Sequence, residues 1–487
     1  MCIVGGCDSP GEGSSSDSTD VQLDGIAETD SSVPDTSAID IQCPLVGPPC
    51  DRFFGADPCD VDAGPVITLG ALIPRSGALG DFGVGIENGL RLAVSEINQS
   101  GGVLDMKVGV LSCDDGSTPV MAVNAARHLV DVGRVDAIIG AGASASTIEA
   151  FNNVARAAGV LMVSPSSTSP AISTLPDNGL LWRTAPSDAV QGLVIARYLL
   201  AAGYSKLAVV NRNDAYGNGI AASIQVTLCN SSSFSCDSGT YVNRVYTNQA
   251  GSLQATEQSQ ALNDLKSFAP DAVVLIGYLQ DGIDFLNLAS GSGFRFVLTD
   301  GMRDTALHGR GGQVGVGDPS IACSLIGTAP SDPSGELFDA FALKYEAQFR
   351  TLPAPYSANA YDATYIVALA YAAARGAGII DPNGVGLAHG LTRLSDGIPI
   401  PLGSANFNTA VSELSIGPNA TVNIRGISGP LDFDAALGEA PAGIEMWRLD
   451  PSQLSVSNLG VVYDGQVQYD FAAVLQAEPT ASCNIGP

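Results

Sequence analysis

The feature that most constrains this chain is a regular alternation of apolar strands and amphipathic helices that begins at Val66. Residues 66–73 form a continuous apolar run that predicts a buried strand. Ile86, Leu90, Val94 and Ile97 then recur at the spacing of one helix face. Strands that alternate with helices of this length predict parallel sheets joined by right-handed crossovers.

A second strand–helix series follows the first one. It starts with a helix near residue 191, and its strands are predicted at 207–210, 272–276 and 296–298. A strongly helical stretch occupies residues 334–376. Two such series predict an α/β protein with two Rossmann-like lobes, and the gap between two lobes is the default place for a ligand.

Small hydroxyl residues follow two successive strands of the first series. Ser144, Ser146 and Thr147 follow one strand, and Ser166 and Thr168 follow the next. Loops after parallel strands lie at the edge where α/β sheets bind ligands, so these loops predict a site for a small polar molecule with an anionic group. Helix capping is the alternative, because Ser and Thr are preferred caps.

Ser144 and Thr168 lie toward the strand ends, which favours ligand contact for these two residues. Capping and ligand contact stay equally open for Ser146 and Thr147. No nucleophile elbow, phosphate loop, dinucleotide fingerprint or Cys/His metal cluster accompanies them. We therefore expect no cofactor, no metal and no enzymatic activity.

The charge of the chain restricts its partners. The formal net charge is −28, which argues against binding to nucleic acid or to an anionic lipid surface. No stretch of about 18 apolar residues occurs, so no transmembrane helix is expected.

The N-terminal region differs from the rest in composition. Residues 8 to 62 carry thirteen acidic residues and one basic residue, Arg52, among many Ser, Thr, Gly and Pro. We expect residues 8–65 to be an acidic, disordered tether that is pinned near its end by Cys43, Cys50 and Cys59. Residues 1–7 resemble the end of a bacterial lipoprotein signal, with Cys7 as the acylated residue; an ordinary frayed terminus is the alternative. The membrane would then be contacted only through a lipid.

Ten cysteines suggest an oxidising compartment. Cys229 and Cys236 flank a polar loop and are natural local partners. Cys113 and Cys323 each adjoin a predicted strand and are further disulfide candidates, and the connectivity stays open.

Several short segments carry a resemblance to a known family. They are 76–83 after the first strand, 96–98 at a helix end, and the loops 164–170, 183–188 and 360–363. With these segments, residues 66 to about 450 resemble the leucine/isoleucine/valine-binding family of periplasmic substrate-binding proteins, which serve ABC importers. The resemblance implies a type I periplasmic binding fold with hinge-linked lobes joined by multiple crossovers. Lobe 1 would comprise 66–188 and 330–430, and lobe 2 would comprise 189–329 and 431–487.

The resemblance also implies roles for eight side chains. They are Ser144, Ser166 and Thr168 on the ligand carboxylate, Asp300 on the ammonium group, Tyr216 against the bound amino acid, Tyr278 and Tyr361 around its side chain, and Phe82 as an aromatic cover. Without the resemblance, Asp300 is a turn residue before a glycine and the two framing tyrosines are packing residues.

The function implied is that of a monomeric, lipid-anchored solute receptor in the periplasm or at the cell surface. It would capture a small amino-acid-like ligand between two closing lobes and deliver it to an ABC permease. A ligand-sensing ectodomain that is not coupled to transport is the alternative, because fold alone does not separate the two.

Overall fold

The computed structural model describes residues 46–60, 62, 64–309, 315–331, 333–450, 454–463 and 470–476. Cys7, most of the acidic N-terminal segment, Cys483 and the glycine-rich segment 310–314 lie outside the described residues. The described chain forms two α/β lobes, each built around its own sheet. The predicted class of fold is confirmed.

Lobe 1 begins with a strand–helix series in which one π-helical turn, His128–Val132, continues the second helix and another, Phe151–Ala155, joins the third helix to the fourth. Its elements are β1 (Arg52–Gly55), β2 (Val66–Ile73), α1 (Gly80–Gln99), β3 (Lys107–Asp114), α2 (Pro119–Arg127), β4 (Ala137–Gly140), α3 (Ser144–Ala150), α4 (Arg156–Ala158), β5 (Leu161–Ser164) and β6 (Leu181–Arg183).

The chain then crosses into lobe 2, where the alternation continues. The elements of this part are α5 (Asp188–Ala201), β7 (Leu207–Arg212), α6 (Ala215–Cys229), β8 (Tyr241–Tyr246), α7 (Ser252–Phe268), β9 (Ala272–Ile276), α8 (Leu279–Leu288), β10 (Phe296–Leu298), α9 (Pro319–Ala322) and β11 (Ile326–Pro330).

Two further crossovers return the chain to lobe 1 and then to lobe 2. Lobe 1 receives α10 (Glu336–Phe349), α11 (Ser357–Gly376), α12 (Gly384–Leu391), β12 (Ile398–Pro401), α13 (Ser404–Leu414) and β13 (Val422–Arg425), and lobe 2 receives β14 (Ile444–Asp450), β15 (Ser455–Tyr463) and α14 (Ala472–Gln476).

The two large sheets are parallel in their centres and antiparallel at their edges. The strand order of lobe 1 is β1-β3-β2-β4-β5-β6, with only β1 antiparallel to its neighbour. The order of lobe 2 is β15-β14-β11-β10-β9-β7-β8, and β14 and β15 pair antiparallel. The parallel sheets predicted from the sequence are therefore mixed sheets, because late or early segments add antiparallel edge strands.

Both faces of the central strands are buried, as the continuous apolar runs predict. In β7, Leu207 and Val209 pack into one cluster of lobe 2, while Ala208 and Val210 pack into the cluster on the opposite face. In lobe 1, helix α11 packs against α1 and the sheet and is buried over most of its length.

The N-terminal boundary of lobe 1 lies earlier than the sequence predicted. The predicted tether included residues up to 65, but β1 pairs with β3 along Arg52 to Gly55. Cys50 is bonded to Cys113 at the end of β3, and Arg52 bridges to Glu87 of α1. A covalent bond and pairing to a buried strand order this acidic segment, which composition alone does not do.

The disulfides of the described chain include one local and one long-range bond. Cys229 pairs with Cys236 across the polar loop after α6. Cys113 pairs with Cys50, 63 residues away in sequence. Cys59 and Cys323 are also disulfide-bonded.

The last crossover also differs from the predicted boundary at residue 431. Residues up to Glu439 stay with lobe 1, where Glu439 bridges to Arg183 of β6. Lobe 2 resumes with β14, which extends the sheet beside β11. Within the described residues, no helix is both long and apolar enough to span a membrane.

Candidate functional site

A cavity lies between the lobes, at the carboxyl ends of the parallel strands of both sheets. This is the edge at which α/β sheets bind ligands. Seven of the eight residues proposed from the sequence line it; Tyr361 does not. The full lining is Pro74, Leu79, Phe82, Ile86, Gly142, Ser144, Ser166, Thr168 and Tyr356 from lobe 1, and Tyr216, Tyr278, Asp300 and Gly301 from lobe 2.

Ser144 ties the two hydroxyl loops of lobe 1 together. Its Oγ accepts hydrogen bonds from the backbone N–H groups of Thr168 (3.2 Å) and Ser169 (3.1 Å). Both bonds use its oxygen as acceptor, so its own proton is free to be donated to another group. A hydroxyl arranged in this way is suited to a carboxylate.

Ser166 has a different arrangement. Its hydroxyl donates to the carbonyl oxygen of Gly142 at 2.9 Å, so its oxygen faces other groups as an acceptor. The structure thus separates two residues that the sequence treated as equivalent donors.

Neither Ser146 nor Thr147 caps α3. The N-cap position is Ala143, and Thr147 donates to the carbonyl of Ala141 while it also contacts Ser167 Oγ at 2.7 Å. Ser146 is fully buried. Both residues belong to the packing behind the cavity, which corrects both interpretations left open by the sequence.

On lobe 2, Tyr216 and Asp300 act as a unit. Tyr216 is carried by the first turn of α6, and Asp300 follows β10. The Tyr216 hydroxyl donates to Asp300 Oδ1 at 2.8 Å and accepts from the backbone N–H of Gly301 at 3.2 Å. Burial, reinforced by the Asp300 charge, raises the pKa of Tyr216 well above its usual value, so the phenol stays a donor.

Position 301 has no room for a side chain, so a glycine is required there. A Cβ atom there would lie 2.7 Å from the carbonyl oxygen of Gly277 and 3.0 Å from the hydroxyl of Tyr216. Glycine at this position therefore leaves room for the Tyr216 hydroxyl next to Asp300.

Tyr278 forms the floor beside this unit. Its ring stacks on that of Tyr216 with centroids 5.3 Å apart, and the guanidinium of Arg212 lies 3.6 Å from the Tyr278 centroid on the ring face. The rings are thereby held in place before any ligand arrives.

Tyr356 is the tyrosine that the sequence interpretation missed. It immediately precedes α11 and donates to Asp300 Oδ2 at 2.7 Å across the two lobes. Its ring meets Phe82 edge-on, with centroids 6.3 Å apart. The sequence signal that could have found it is its position in the loop just before the long helix α11, because loops at helix N-termini often bind ligands.

Tyr361, which the sequence placed around the ligand side chain, is a core residue. It lies more than one helical turn into α11, where its hydroxyl donates to Glu96 Oε2 at 2.6 Å and its ring packs on Phe341 and Tyr365. Glu96 is also bound by Lys344 and Tyr365. The helix phase turns Tyr361 into lobe 1 and away from the cavity.

Asp188 is a second acidic residue that the sequence interpretation did not assign. It is fully buried at the first position of α5, and its backbone N–H donates to the carbonyl of Thr168. Burial and then the Asp300 charge raise its pKa well above the usual value, while Thr168 and the Arg183 charge oppose this rise. Within the described chain, neither of its carboxylate oxygens accepts a well-formed hydrogen bond.

Two arginines close to these acids already have partners. Arg183 is fully buried, and it bonds to Glu439 and to the carbonyl of Ser169 in the hydroxyl loop. Arg212 bonds to Asp214 and Asp281.

The comparisons with known proteins agree with this architecture. Residues 66–413 match the family model described as periplasmic binding protein. The chain belongs to the periplasmic binding protein family, a class of extracytoplasmic ligand-binding proteins rather than enzymes. Within it, the resemblance to the leucine/isoleucine/valine-binding branch is confirmed.

Two curated relatives illustrate the match. The Leu/Ile/Val-binding protein BraC3 of Rhizobium johnstonii is 36% identical over 163 residues, which is 33% of this chain and 44% of that protein. The leucine-specific-binding protein of Salmonella typhimurium is 33% identical over 161 residues, which is 33% of this chain and 42% of that protein. The chain thus aligns with less than half of the length of these relatives.

Solved structures match over far more of the fold. One is LivJ of Streptococcus pneumoniae, the substrate-binding protein of a branched-chain amino acid transporter, in complex with isoleucine. It superposes with a TM-score of 0.62 at 23% identity, and the match covers 82% of this chain and 99% of LivJ. A solute-binding protein from R. palustris in complex with benzoate gives a TM-score of 0.60 at 18% identity. The match covers 82% of this chain and 97% of that protein. These likenesses show the fold.

Proposed function

We propose that this protein captures a small amino acid between its two lobes and delivers it to an ABC importer. One observation carries the proposal: hydroxyl groups on lobe 1 and a tyrosine–aspartate unit on lobe 2 line one cavity. The relatives named after leucine, isoleucine and valine support the amino-acid class of ligand.

The charges of the cavity are matched to a zwitterion. A carboxylate would bind at Ser144, whose oxygen accepts two backbone bonds and whose proton is left to donate, with Thr168 beside it in the wall of the same cavity. An ammonium group would bind at Asp300, where each oxygen keeps a lone pair beside its tyrosine partner. Asp188 would supply the second negative charge around it. A zwitterion taken out of water needs both charges paired, because a buried unpaired charge is heavily penalised.

Binding and lobe closure are coupled by this division of the site. Ser144 and Thr168 lie on lobe 1, and Tyr216 and Asp300 lie on lobe 2, so both ligand charges are paired only when the lobes meet. A ligand that binds the closed form about 10⁴-fold more tightly would shift the lobes from about 1:99 to about 99:1.

Isothermal titration calorimetry tests the ligand class. The full chain is unfolded, dialysed to remove co-purified ligand, refolded and titrated with the L-amino acids. We expect saturable binding of at least one amino acid, and its loss in Ser144→Ala and Asp300→Asn. Exposed residues of the same types on lobe 2 provide controls, Ser267→Ala and Asp284→Asn, which should bind as the unchanged protein does.

Absence of binding by every amino acid at millimolar concentration would refute the proposed ligand class. Unchanged affinity in both Ser144→Ala and Asp300→Asn would refute the site. The two results are separate, because the second one leaves the ligand class standing.

Delivery to an importer and attachment by a lipid are tested in cells. Deletion of the gene should reduce uptake of the amino acid identified by calorimetry. Unchanged uptake by cells that make a binding-competent protein would favour the sensing ectodomain instead. Cys7→Ser should move the protein from the membrane fraction to the soluble fraction, and an unchanged distribution would contradict the lipid anchor.

The monomeric state belongs to the same proposal. A single described chain carries both halves of the site, so a second copy is not needed to complete it. Light scattering of the purified protein should give the mass of one chain.

A further inference from the structure

Arg183 is a buried cation at the end of β6, and it is bonded to the second hydroxyl loop of lobe 1. Its side chain has no exposed surface. Its Nη1 donates to the carbonyl oxygen of Ser169 at 2.9 Å, and its Nη2 donates to Ser173 Oγ at 2.6 Å. A guanidinium group this deep in the protein needs a counter-charge, because an unpaired buried charge is heavily penalised. The position of Arg183 therefore depends on the carboxylate that pairs with it.

That carboxylate is Glu439, which the last crossover places beside β6. Its Oε2 accepts from Arg183 Nε at 3.0 Å and from Ser173 Oγ at 2.8 Å. The carbonyl oxygen of Gly438 accepts from the backbone N–H of Arg183 at 2.8 Å. Gly438 has a φ of 64°, and a Cβ atom there would lie 2.4 Å from the carbonyl oxygen of Leu181, so a glycine is needed for this close approach. Backbone and side chain together fix Glu439 against the strand.

Ser169 connects Arg183 to both halves of the ligand site. Its backbone N–H donates to Ser144 Oγ at 3.1 Å, and Ser144 is the hydroxyl suited to a carboxylate. Its own Oγ donates to the carbonyl oxygen of Ala215 at 2.7 Å, across the lobes and one residue before Tyr216. A binding group must be held to within about 0.5 Å of its working position. A shift of Ser169 would therefore be felt on both sides of the cleft.

We infer that Glu439 is a positioning residue for ligand binding: through Arg183 it fixes Ser169, and through Ser169 it orients Ser144 toward the ligand carboxylate. The inference rests on the proposed function and adds to it a residue that lines no part of the cavity. Glu439 lies beyond residue 413, where the match to the family model ends. The last crossover and the hydroxyl loop thus form one hydrogen-bonded unit.

Glu439→Gln tests the inference, because it removes the charge and keeps the shape of the side chain. Glu96→Gln is the matched control. Glu96 is also a buried carboxylate of lobe 1 with one cationic partner, Lys344 at 2.7 Å, and it does not line the cavity. The full chain and both variants are freed of ligand by unfolding and refolding. Hydrogen exchange is followed by mass spectrometry on peptides that cover residues 166–170, and affinity is measured by titration with each of the L-amino acids.

Glu439→Gln should loosen the hydroxyl loop, because Arg183 loses its counter-charge. We expect exchange of the Thr168 and Ser169 amides to become at least about tenfold faster. Amino-acid affinity should fall at least about tenfold, since Ser144 loses its orientation. Glu96→Gln should lower the free energy of unfolding but change the exchange of this loop and the affinity by less than about twofold.

Ser173→Ala is a milder second variant, and it decides the question if Glu439→Gln does not fold. It keeps the ion pair and removes the hydroxyl that bridges Arg183 and Glu439. It should change exchange and affinity in the same directions by a smaller factor, about threefold.

Unchanged exchange of Thr168 and Ser169 in a folded Glu439→Gln chain would overturn the inference, and so would equal changes in Glu96→Gln. Where Glu439→Gln does not fold, unchanged exchange in Ser173→Ala would overturn it. Binding of no amino acid by the unchanged protein would instead refute the proposed function, and the exchange measurement would still decide whether Glu439 holds the loop.

Discussion

The hydroxyl of Tyr356 on lobe 1 lies 2.7 Å from Asp300 Oδ2 on lobe 2, so one hydrogen bond to a carboxylate joins the lobes at the centre of the cleft. Tyr216 holds the other oxygen of the same carboxylate from within lobe 2. Asp300 is therefore shared between a fixed partner and a partner on the opposite lobe.

Removal of this hydrogen bond, one of those that join the lobes, should favour separated lobes in the ligand-free protein. A hydrogen bond to a charged group contributes about 1.5–3 kcal/mol, so Tyr356→Phe should shift the population toward separated lobes. Small-angle X-ray scattering should show a larger radius of gyration than for the unchanged chain.

Tyr361→Phe is the matched control for this experiment. Its hydroxyl binds Glu96 inside lobe 1, so the variant should lose stability and keep its radius of gyration. An expansion of equal size in both variants would contradict an inter-lobe role for Tyr356.

Asp188 should show opposite effects on stability and on ligand affinity. Burial raises its pKa, so its charge is unfavourable in the ligand-free fold. Asp188→Asn should unfold at the same temperature as the unchanged protein or at a higher one, and should bind an amino acid at least about tenfold more weakly because the ammonium loses a counter-charge. Thermal unfolding and calorimetry measure the two effects.

The affinity should also fall as the pH is lowered through the raised pKa of Asp188, since only the ionised form attracts the ammonium group. This pH dependence should be absent in Asp188→Asn. An Asp188→Asn variant with unchanged affinity at neutral pH would remove Asp188 from the site.

Asp362 should make a separate contribution to the pH dependence of stability. It lies buried on α11 and accepts bonds from the backbone N–H groups of Ile427 and Ser428. Burial raises its pKa to about 7. A raised carboxyl pKa means that the folded state binds the proton more strongly than the unfolded state. The stabilisation that the protonated Asp362 contributes is therefore complete below pH 3.8 and is lost as the pH rises toward 7.

Comparison with Asp362→Asn isolates this contribution. The difference in the free energy of unfolding between the unchanged protein and the variant, measured in urea, should decrease by up to about 4 kcal/mol from pH 4 to pH 8. A difference that is constant over this range would contradict the raised pKa. Glu413→Gln, at a half-buried position on α13, is a control for loss of a carboxylate.

The two assigned disulfides should differ in their contributions to stability. Cys50–Cys113 spans 63 residues and Cys229–Cys236 spans 7. Loop-closure entropy predicts a loss of about 4 kcal/mol for Cys50→Ala/Cys113→Ala and about 2 kcal/mol for Cys229→Ala/Cys236→Ala. Denaturant unfolding under non-reducing conditions measures both losses, and a larger loss for the short loop would contradict the entropic account.

The lobe 1 half of the site was predictable because of where its strands end. Ser144 and Thr168 follow short apolar runs, and the carboxyl ends of parallel strands meet at one edge. Their convergence needs only the strand order, which the alternation and the family resemblance imply. Tyr216 and Asp300 of lobe 2 were assigned only through the family resemblance.

The choice between Tyr356 and Tyr361 was not predictable in the same way. Tyr356 immediately precedes α11 and Tyr361 lies just over one turn into it, and only the backbone geometry there, left-handed at Tyr356 (φ 65°), decides which ring faces the cleft. Phase depends on packing against α1, which is a contact distant in sequence. The pairing of β1 was missed for a related reason, because the Cys50–Cys113 bond outweighs an acidic composition that predicts disorder.

The attachment of β1 determines where a mechanical load would enter the molecule. Tension applied to the chain before Cys50 passes through the covalent bond to Cys113 and into β3, and bypasses the hydrogen bonds of the edge strand. A pull on the segment before Cys50 would therefore reach the sheet of lobe 1 through β3, and not through the hydrogen bonds of β1.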